Sequence, residues 1–113
     1  MSQRNSLDQA VFLSSQVDSF DGRGAAEAYK TLEKQCWITR TWGDGYGYLL
    51  VATGRADVMV DPVCNAWDVA AILPVVTEAG GRFTDWTGGA TVRGGDGVGT
   101  NGHLHEAVLK VLR

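Results

Sequence analysis

The chain has 113 residues, a formal net charge of −3 at pH 7 and a hydrophobic content of 44%, which together describe one globular domain long enough to bury a core. The small negative charge gives no electrostatic reason to expect nucleic acid or an anionic membrane as the main partner. No apolar run approaches the ~20 residues of a membrane-spanning helix, and the first residues lack the apolar stretch of a signal peptide. Cys36 and Cys64 form no CxxC motif, so we expect a reducing, cytoplasmic location.

The predicted elements alternate between strands and helices along the whole chain. In order, they are a strand at Ala10–Ser14, a helix at Ala25–Lys34, a strand within Cys36–Thr41, a helix at Gly45–Thr53, a strand at Ala56–Asp61, a helix at Ala66–Ala79, a strand at residues 82–86, a short strand at residues 98–101 and a helix at residues 103–112. Pro74 removes a backbone donor and predicts a bend in the helix that contains it. The alternation favours an α/β fold, a single layered domain over residues 1–113 with a mixed β-sheet flanked by helices.

Asp68 stands near the start of the most apolar predicted helix, in the run Asn-Ala-Trp-Asp. If Asn65 caps this helix, Asp68 is its third residue, where a carboxylate accepts hydrogen bonds from unpaired backbone amides. The same position can direct a carboxylate oxygen outwards to a divalent cation. Spacing alone leaves both interpretations open.

Three glycines lie close together in the segment "RTWGDGYGY", residues 40–48. The segment contains neither GxGxxG nor GxxxxGK[ST], so it does not predict a nucleotide site. Gly43, Gly45 and Gly47 either let a ligand lie against the backbone at a helix start or permit close packing there. Asp44, in the same segment, is either a helix cap or a partner for a cationic ligand.

The remaining candidates have mainly structural interpretations. Asp61 ends a predicted strand just before a proline, where aspartate commonly forms a turn. His103 and His105 are two residues apart and do not share a helix face, so we expect no metal site there. Neither cysteine has a nearby base in the sequence, which gives no support to thiol catalysis.

Several segments, in chain order, resemble one known family. The run "WDVAAILPVVTEAGG", from Trp67 to Gly81, is similar to the C-terminal signature of the inositol monophosphatase family of magnesium-dependent phosphatases. The upstream "LLVATGRADVMVD" and the downstream "RFTDWTGG" and "TNGHLHEAVLKVL" resemble consecutive parts of the same family. Within it, "WGDGYGY" and "NAWD" look most like the histidinol-phosphate phosphatase branch. The resemblance implies the C-terminal half of the sugar-phosphatase fold.

The resemblance also implies roles for individual residues. Asp68 matches a Mg²⁺ ligand that lies near a substrate hydroxyl. The residues implied on the substrate side are Arg40, Gly43, Asp44, Gly45 and Asp61. Histidinol carries an amine and an imidazole, so carboxylates of Asp44 and Asp61 can meet its cationic groups while magnesium handles the phosphate.

The family's other catalytic motifs do not occur in this sequence. Family members hold their metal ions with a Glu and an Asp-Pro-x-Asp-Gly-Thr run, whereas the one Asp-Pro here, Asp61-Pro62, continues as Val-Cys-Asn. One carboxylate cannot hold Mg²⁺ firmly, because the ion requires several oxygen ligands. We therefore expect an incomplete Mg²⁺ site, no catalytic residue within the chain and no meaningful phosphatase activity of the chain alone.

Three functions stay open at this point. The first is the C-terminal domain of a histidinol-phosphate phosphatase of histidine biosynthesis, with its N-terminal catalytic half absent. The second is a phosphatase of inositol 1-phosphate or a related sugar phosphate, and the third is a non-catalytic assembly or binding module. We expect a small phosphorylated substrate, and either a homodimer or pairing with the missing half, because loss of that half exposes apolar surface.

Overall fold

A mixed five-stranded β-sheet forms the centre of the computed structural model, which describes residues 1–113 with the exception of the Asp44 side chain. The strands are β1 (Val11–Ser14), β2 (Ile38–Arg40), β3 (Val58–Asp61), β4 (Arg82–Thr84) and β5 (Gly97–Thr100). They lie in the order β2-β1-β3-β5-β4. β1 pairs in parallel with β2 and β3, and β5 pairs antiparallel with β3 and β4. The predicted mixed sheet is confirmed.

Helices cover both faces of this sheet, as the alternation of elements predicted. They are α1 (Asp18–Gly22), α2 (Ala26–Gln35), α3 (Asp44–Ala52), α4 (Ala66–Val69), α5 (Ile72–Glu78) and α6 (His105–Leu112), with a short 3₁₀ turn at Leu7–Gln9. The sequence analysis did not foresee α1 or the 3₁₀ turn, which are each five residues or fewer. No helix in the described part of the chain is long and apolar enough to cross a membrane.

Alternating side chains on the strands build two separate apolar layers. On one face, Phe12 and Val60 pack with residues of α1, α2 and α6. On the other face, Leu13 and Met59 pack with residues of α3, α4 and α5. Successive residues of β1 and β3 therefore serve opposite sides of the sheet, and both strands are buried on both faces.

The predicted helix Ala66–Ala79 is broken into α4 and α5 at Ala70 and Ala71. Pro74 explains the position of the break, because a proline ring clashes with the carbonyl four residues earlier, here that of Ala70. Pro74 is the third residue of α5, in a first turn whose amide would lack a helical partner in any case. The helix that contains Pro74 is thus interrupted upstream of the proline, at Ala70 and Ala71.

Candidate active site

A cavity of about 440 Å³ opens at the carboxyl ends of β1 and β3. Its described lining comprises Ser15, Gln16, Ser19, Gly45, Tyr48, Asp61, Pro62, Val63, Cys64, Asp68 and Val69. The connection after β1 leads to helices on one face of the sheet, and the connection after β3 leads to helices on the other. Adjacent parallel strands whose connections diverge in this way leave a crevice, the usual position of ligand sites in such sheets.

Asp61 is the buried acid of this cavity. It ends β3 with 5% of its surface exposed. Oδ1 accepts a 2.6 Å hydrogen bond from the Ser15 hydroxyl, and Oδ2 accepts a 2.8 Å bond from the Tyr48 hydroxyl. These bonds hold the carboxylate in one orientation and offset the cost of burying it. Both of these contacts join Asp61 to other elements of the fold, in addition to any turn-forming role.

The three glycines of residues 43–47 have different surroundings. A Cβ atom on Gly43 would lie 2.3 Å from Ser15 Cα, and one on Gly47 would lie 2.5 Å from the Trp42 carbonyl oxygen. A Cβ on Gly45 would meet nothing within 4 Å, and Gly45 lines the cavity. Close packing thus explains Gly43 and Gly47, whereas Gly45 leaves the cavity wall open at the start of α3. The Asp44 side chain lies outside the described residues.

Asp68 lines the cavity from the first turn of α4 and is solvent-exposed. Its Oδ2 accepts a 3.3 Å hydrogen bond from the backbone amide of Asn65, the N-cap residue. The expected capping contact is therefore present. This bond uses Oδ2, and among the described residues no hydrogen bond to Oδ1 is present, so Asp68 has a second carboxylate oxygen available at the cavity lining.

The charge of the described cavity lining is negative. It contains the two carboxylates of Asp61 and Asp68 and, among the described lining residues, no Lys, Arg or His. This environment raises the pKa of the Cys64 thiol to about 12. Desolvation is the largest cause, followed by the charges of Asp61, Asp96 and Asp68. Cys64 is thus a neutral thiol at physiological pH, unsuited to nucleophilic catalysis.

Arg40 and the two histidines lie elsewhere. Arg40 ends the edge strand β2, where its Nη1 donates a 2.8 Å bond to the Thr39 carbonyl, and it is not among the described residues that line the cavity. His103 is exposed, and its Nε2 lies 3.2 Å from Gln3 Oε1. His105 is buried between Thr84 and Thr100, whose hydroxyls hydrogen-bond to its two ring nitrogens.

Among the described lining residues, Asp68 carries the one exposed carboxylate that a metal ion would meet. Among the residues that the structure describes, no group of three or more His, Cys, Asp or Glu side chains is arranged to hold a metal ion. The oxygen chemistry of Asp68 suits Mg²⁺, but the ion prefers near-octahedral coordination. Asp68 therefore fits Mg²⁺ as one ligand of a larger set.

Several cavity residues, notably Ser15 and Tyr48, were not predicted from the sequence. Ser15 comes directly after β1, and the carboxyl end of a buried parallel strand is a signal that could have identified it. Tyr48 lies in an apolar helix and resembles an ordinary core residue. Only its distance to Asp61 reveals its contribution, and that contact joins residues 13 positions apart.

The fold and cavity together define a layered α/β domain with an acidic site at a switch point of its sheet. The model of the inositol monophosphatase family matches residues 1–113. The chain therefore belongs to the inositol monophosphatase family, as its sequence segments predicted.

Similar proteins agree with this assignment. A histidinol-phosphatase of Streptomyces coelicolor is 35% identical over 112 residues, covering 99% of this chain and 42% of that protein. A histidinol-phosphatase of Mycobacterium tuberculosis is 40% identical over 106 residues, covering 94% of this chain and 41% of that protein. The solved inositol monophosphatase of Zymomonas mobilis is 27% identical with a TM-score of 0.89, covering 99% of this chain and 45% of that one. The chain thus spans less than half the length of these relatives.

Proposed function

We propose that this chain is the C-terminal part of a magnesium-dependent phosphomonoesterase that acts on histidinol phosphate. In this proposal the chain forms the wall that receives the organic part of the substrate and supplies Asp68 as one metal ligand. The observation that carries the proposal is the negative charge of the described cavity lining, with Asp61 and Asp68 and no basic side chain. Two relatives named histidinol-phosphatase that align with nearly the whole chain support the same choice.

The charge of the cavity favours a cationic ligand over a neutral polyol. Histidinol presents an amine and an imidazole. A buried carboxylate attracts such cationic groups more strongly than a carboxylate in bulk water does, because the protein has a lower dielectric constant. Asp61 is held by Ser15 and Tyr48, so its charge is placed before the ligand arrives. Gly45 leaves room for the ligand beside it. A neutral polyol would gain less from the same negative charge.

The phosphate has no basic side chain to meet among the described lining residues. Bound Mg²⁺ would supply the missing positive charge, polarise the phosphate ester and activate water. Asp68 would hold the ion through Oδ1, while Oδ2 keeps the bond to Asn65. The remaining metal ligands and the water-activating residue are assigned to the segment of the relatives that this chain does not match.

Exposed apolar side chains beside the cavity support pairing with such a segment. Trp67 precedes Asp68 in α4 and is 78% exposed, and Val63 lines the cavity yet is also exposed. Large exposed apolar groups that border a site commonly mark a surface covered by another part of the protein. In this proposal the covering part carries the other metal ligands.

A phosphate-release assay with histidinol phosphate and inositol 1-phosphate, with and without Mg²⁺, tests the proposal. The purified chain alone is expected to give no turnover. Co-expression with the unmatched N-terminal segment of the Streptomyces coelicolor relative should restore Mg²⁺-dependent activity, with a preference for histidinol phosphate. Asp68→Asn should remove that activity while leaving the fold intact. Clear turnover by the chain alone, or a preference for inositol 1-phosphate, would refute the proposal.

A further inference from the structure

One loop connects the two elements that carry the acids of the cavity. Residues Pro62–Asn65, which we call the 62–65 loop, connect the end of β3 to the start of α4. Asp61 immediately precedes this loop, and Asp68 lies in the first turn of the helix that follows it. The loop is therefore the covalent connection between the elements that carry the two carboxylates.

Two hydrogen bonds tie the 62–65 loop to other parts of the chain. The carbonyl oxygen of Pro62 accepts a 2.7 Å bond from Nη1 of Arg23, at the end of α1. The amide of Cys64 donates a 2.8 Å bond to the carbonyl of Gly95, in the connection between β4 and β5. The loop is thus bonded both to the end of α1 and to the β4–β5 connection. The bond from α1 comes from a charged side chain.

Arg23 is itself fixed by two further contacts, with Asp96 and with Trp86. The same Nη1 lies 2.8 Å from Asp96 Oδ2, and the guanidinium carbon lies 3.9 Å from the centre of the Trp86 ring. Asp96 Oδ1 accepts a 2.8 Å bond from the Trp86 backbone amide. Asp96 and Trp86 are both buried. A guanidinium stacked on an aromatic face and paired with a buried carboxylate loses little further freedom when it binds a carbonyl.

We propose that Arg23 is a positioning residue for the acidic cavity: by holding the Pro62 carbonyl it fixes the 62–65 loop and, through it, the mutual placement of Asp61 and Asp68. Arg23 is not among the described residues that line the cavity. Its effect on ligands is therefore exerted through the loop. The part of this inference that concerns a ligand rests on the proposed function, whereas the part that concerns the loop does not.

Two variants of Arg23 and one control separate these parts. Arg23→Met keeps an unbranched stem but removes the charge and both bonds. Arg23→Lys can restore both bonds, since a single nitrogen of Arg23 makes them. Lys30→Met removes the same charge from the exposed face of α2 and serves as the matched control. The readouts are the alkylation rate of Cys64 by iodoacetamide, with buried Cys36 as internal reference, and the affinity for histidinol followed by amide chemical shifts.

In Arg23→Met we expect Cys64 to be alkylated about tenfold faster, because the freed loop opens locally while the rest of the fold stays closed. Loss of a positive charge by itself disfavours the thiolate, so faster alkylation reports loop opening. Histidinol should bind on the order of fivefold more weakly. Arg23→Lys should recover part of both effects, since it keeps the charge and the bonding nitrogen but not the stacking on Trp86. Lys30→Met should match the unmodified chain in both.

An unchanged alkylation rate of Cys64 in Arg23→Met would overturn the proposal. A parallel rise for Cys36, in both Arg23 variants, would overturn it as well, since Arg23 would then only stabilise the whole fold. Equal histidinol affinity in Arg23→Met and the unmodified chain would show that the 62–65 loop does not affect ligand binding in the cavity. Failure of the unmodified chain to bind histidinol counts against the proposed function, and the alkylation rates then decide the role of Arg23.

Discussion

The hydroxyl of Tyr48, in α3, donates a 2.8 Å hydrogen bond to Oδ2 of Asp61, at the end of β3. Both residues are buried. Burial, followed by the charge of Asp61, raises the pKa of Tyr48 well above its usual value, so the phenol remains a donor. This bond connects the helix that carries Gly45 to the strand that carries the buried acid of the cavity.

Removal of this hydroxyl should weaken the fold. Tyr48→Phe leaves one oxygen of a buried carboxylate without that donor, and we expect the free energy of unfolding to fall by about 1–3 kcal/mol. Urea denaturation measures the change. Tyr46→Phe, on the same helix and 62% exposed, is the control, with an expected change within about 0.5 kcal/mol. Equal effects of the two substitutions would contradict the importance of the Tyr48–Asp61 bond.

Two glycines of the same helix start should respond differently to the same substitution. Gly43→Ala places a methyl group 2.3 Å from Ser15 Cα, and overpacking against backbone should cost about 1–3 kcal/mol. Gly45→Ala meets open space, so the unfolding free energy should stay equal or rise by up to about 1 kcal/mol from the better helix propensity. Because Gly45 lines the cavity, its substitution should nevertheless weaken histidinol binding. Equal destabilisation by both substitutions would show that the two sites do not differ as described.

The buried imidazole of His105 predicts a loss of stability in mild acid. Burial, followed by the charge of Arg82, lowers the pKa of His105 to about 4 from the usual 6.5, with Glu106 acting in the opposite direction. The unfolded chain therefore binds the proton more readily than the folded chain. The stability that depends on neutral His105 is fully present above pH 6.5, declines as the pH falls towards 4, and is lost below that value.

Urea denaturation at pH 7.5 and pH 5 measures this effect. We expect His105 alone to contribute a loss of about 2 kcal/mol between the two values. His103→Gln, which alters the exposed histidine, should show the same pH dependence as the unmodified chain. A ring-proton titration that places the pKa of His105 near 6.5 would disprove the explanation.

Much of the fold could be predicted because its causes are local. Short continuous apolar runs define β1 and β3, and the glycines after the longer apolar runs end α3 and α5. Pro74 predicted a bend in the helix Ala66–Ala79 without a position for it, and the interruption lies upstream because the clash caused by Pro74 acts four residues earlier. The five-residue helix α1 was missed because a single turn carries no usable periodicity.

The candidate site was predictable only in part. Asp61 and Asp68 were identified from the family resemblance, and capping chemistry alone explains the bond between Asn65 and Asp68. Ser15 contacts Asp61, which is 46 positions away in the chain. Arg23 contacts Pro62, which is 39 positions away. Such pairings depend on the strand order of the sheet, which no local pattern of this sequence specifies.

Two neutral-pH titrations of the isotope-labelled chain, one with histidinol and one with myo-inositol, followed by amide chemical shifts, show whether the acidic cavity recognises a cationic ligand. Histidinol should give saturable shifts at Ser15, Gly45 and the 62–65 loop, weakened by added salt because the attraction is between charges. Myo-inositol should give little response at the same concentrations. Equal shifts for both ligands, or shifts for histidinol that lie away from this cavity, would rule out selective binding of a cationic ligand in the cavity.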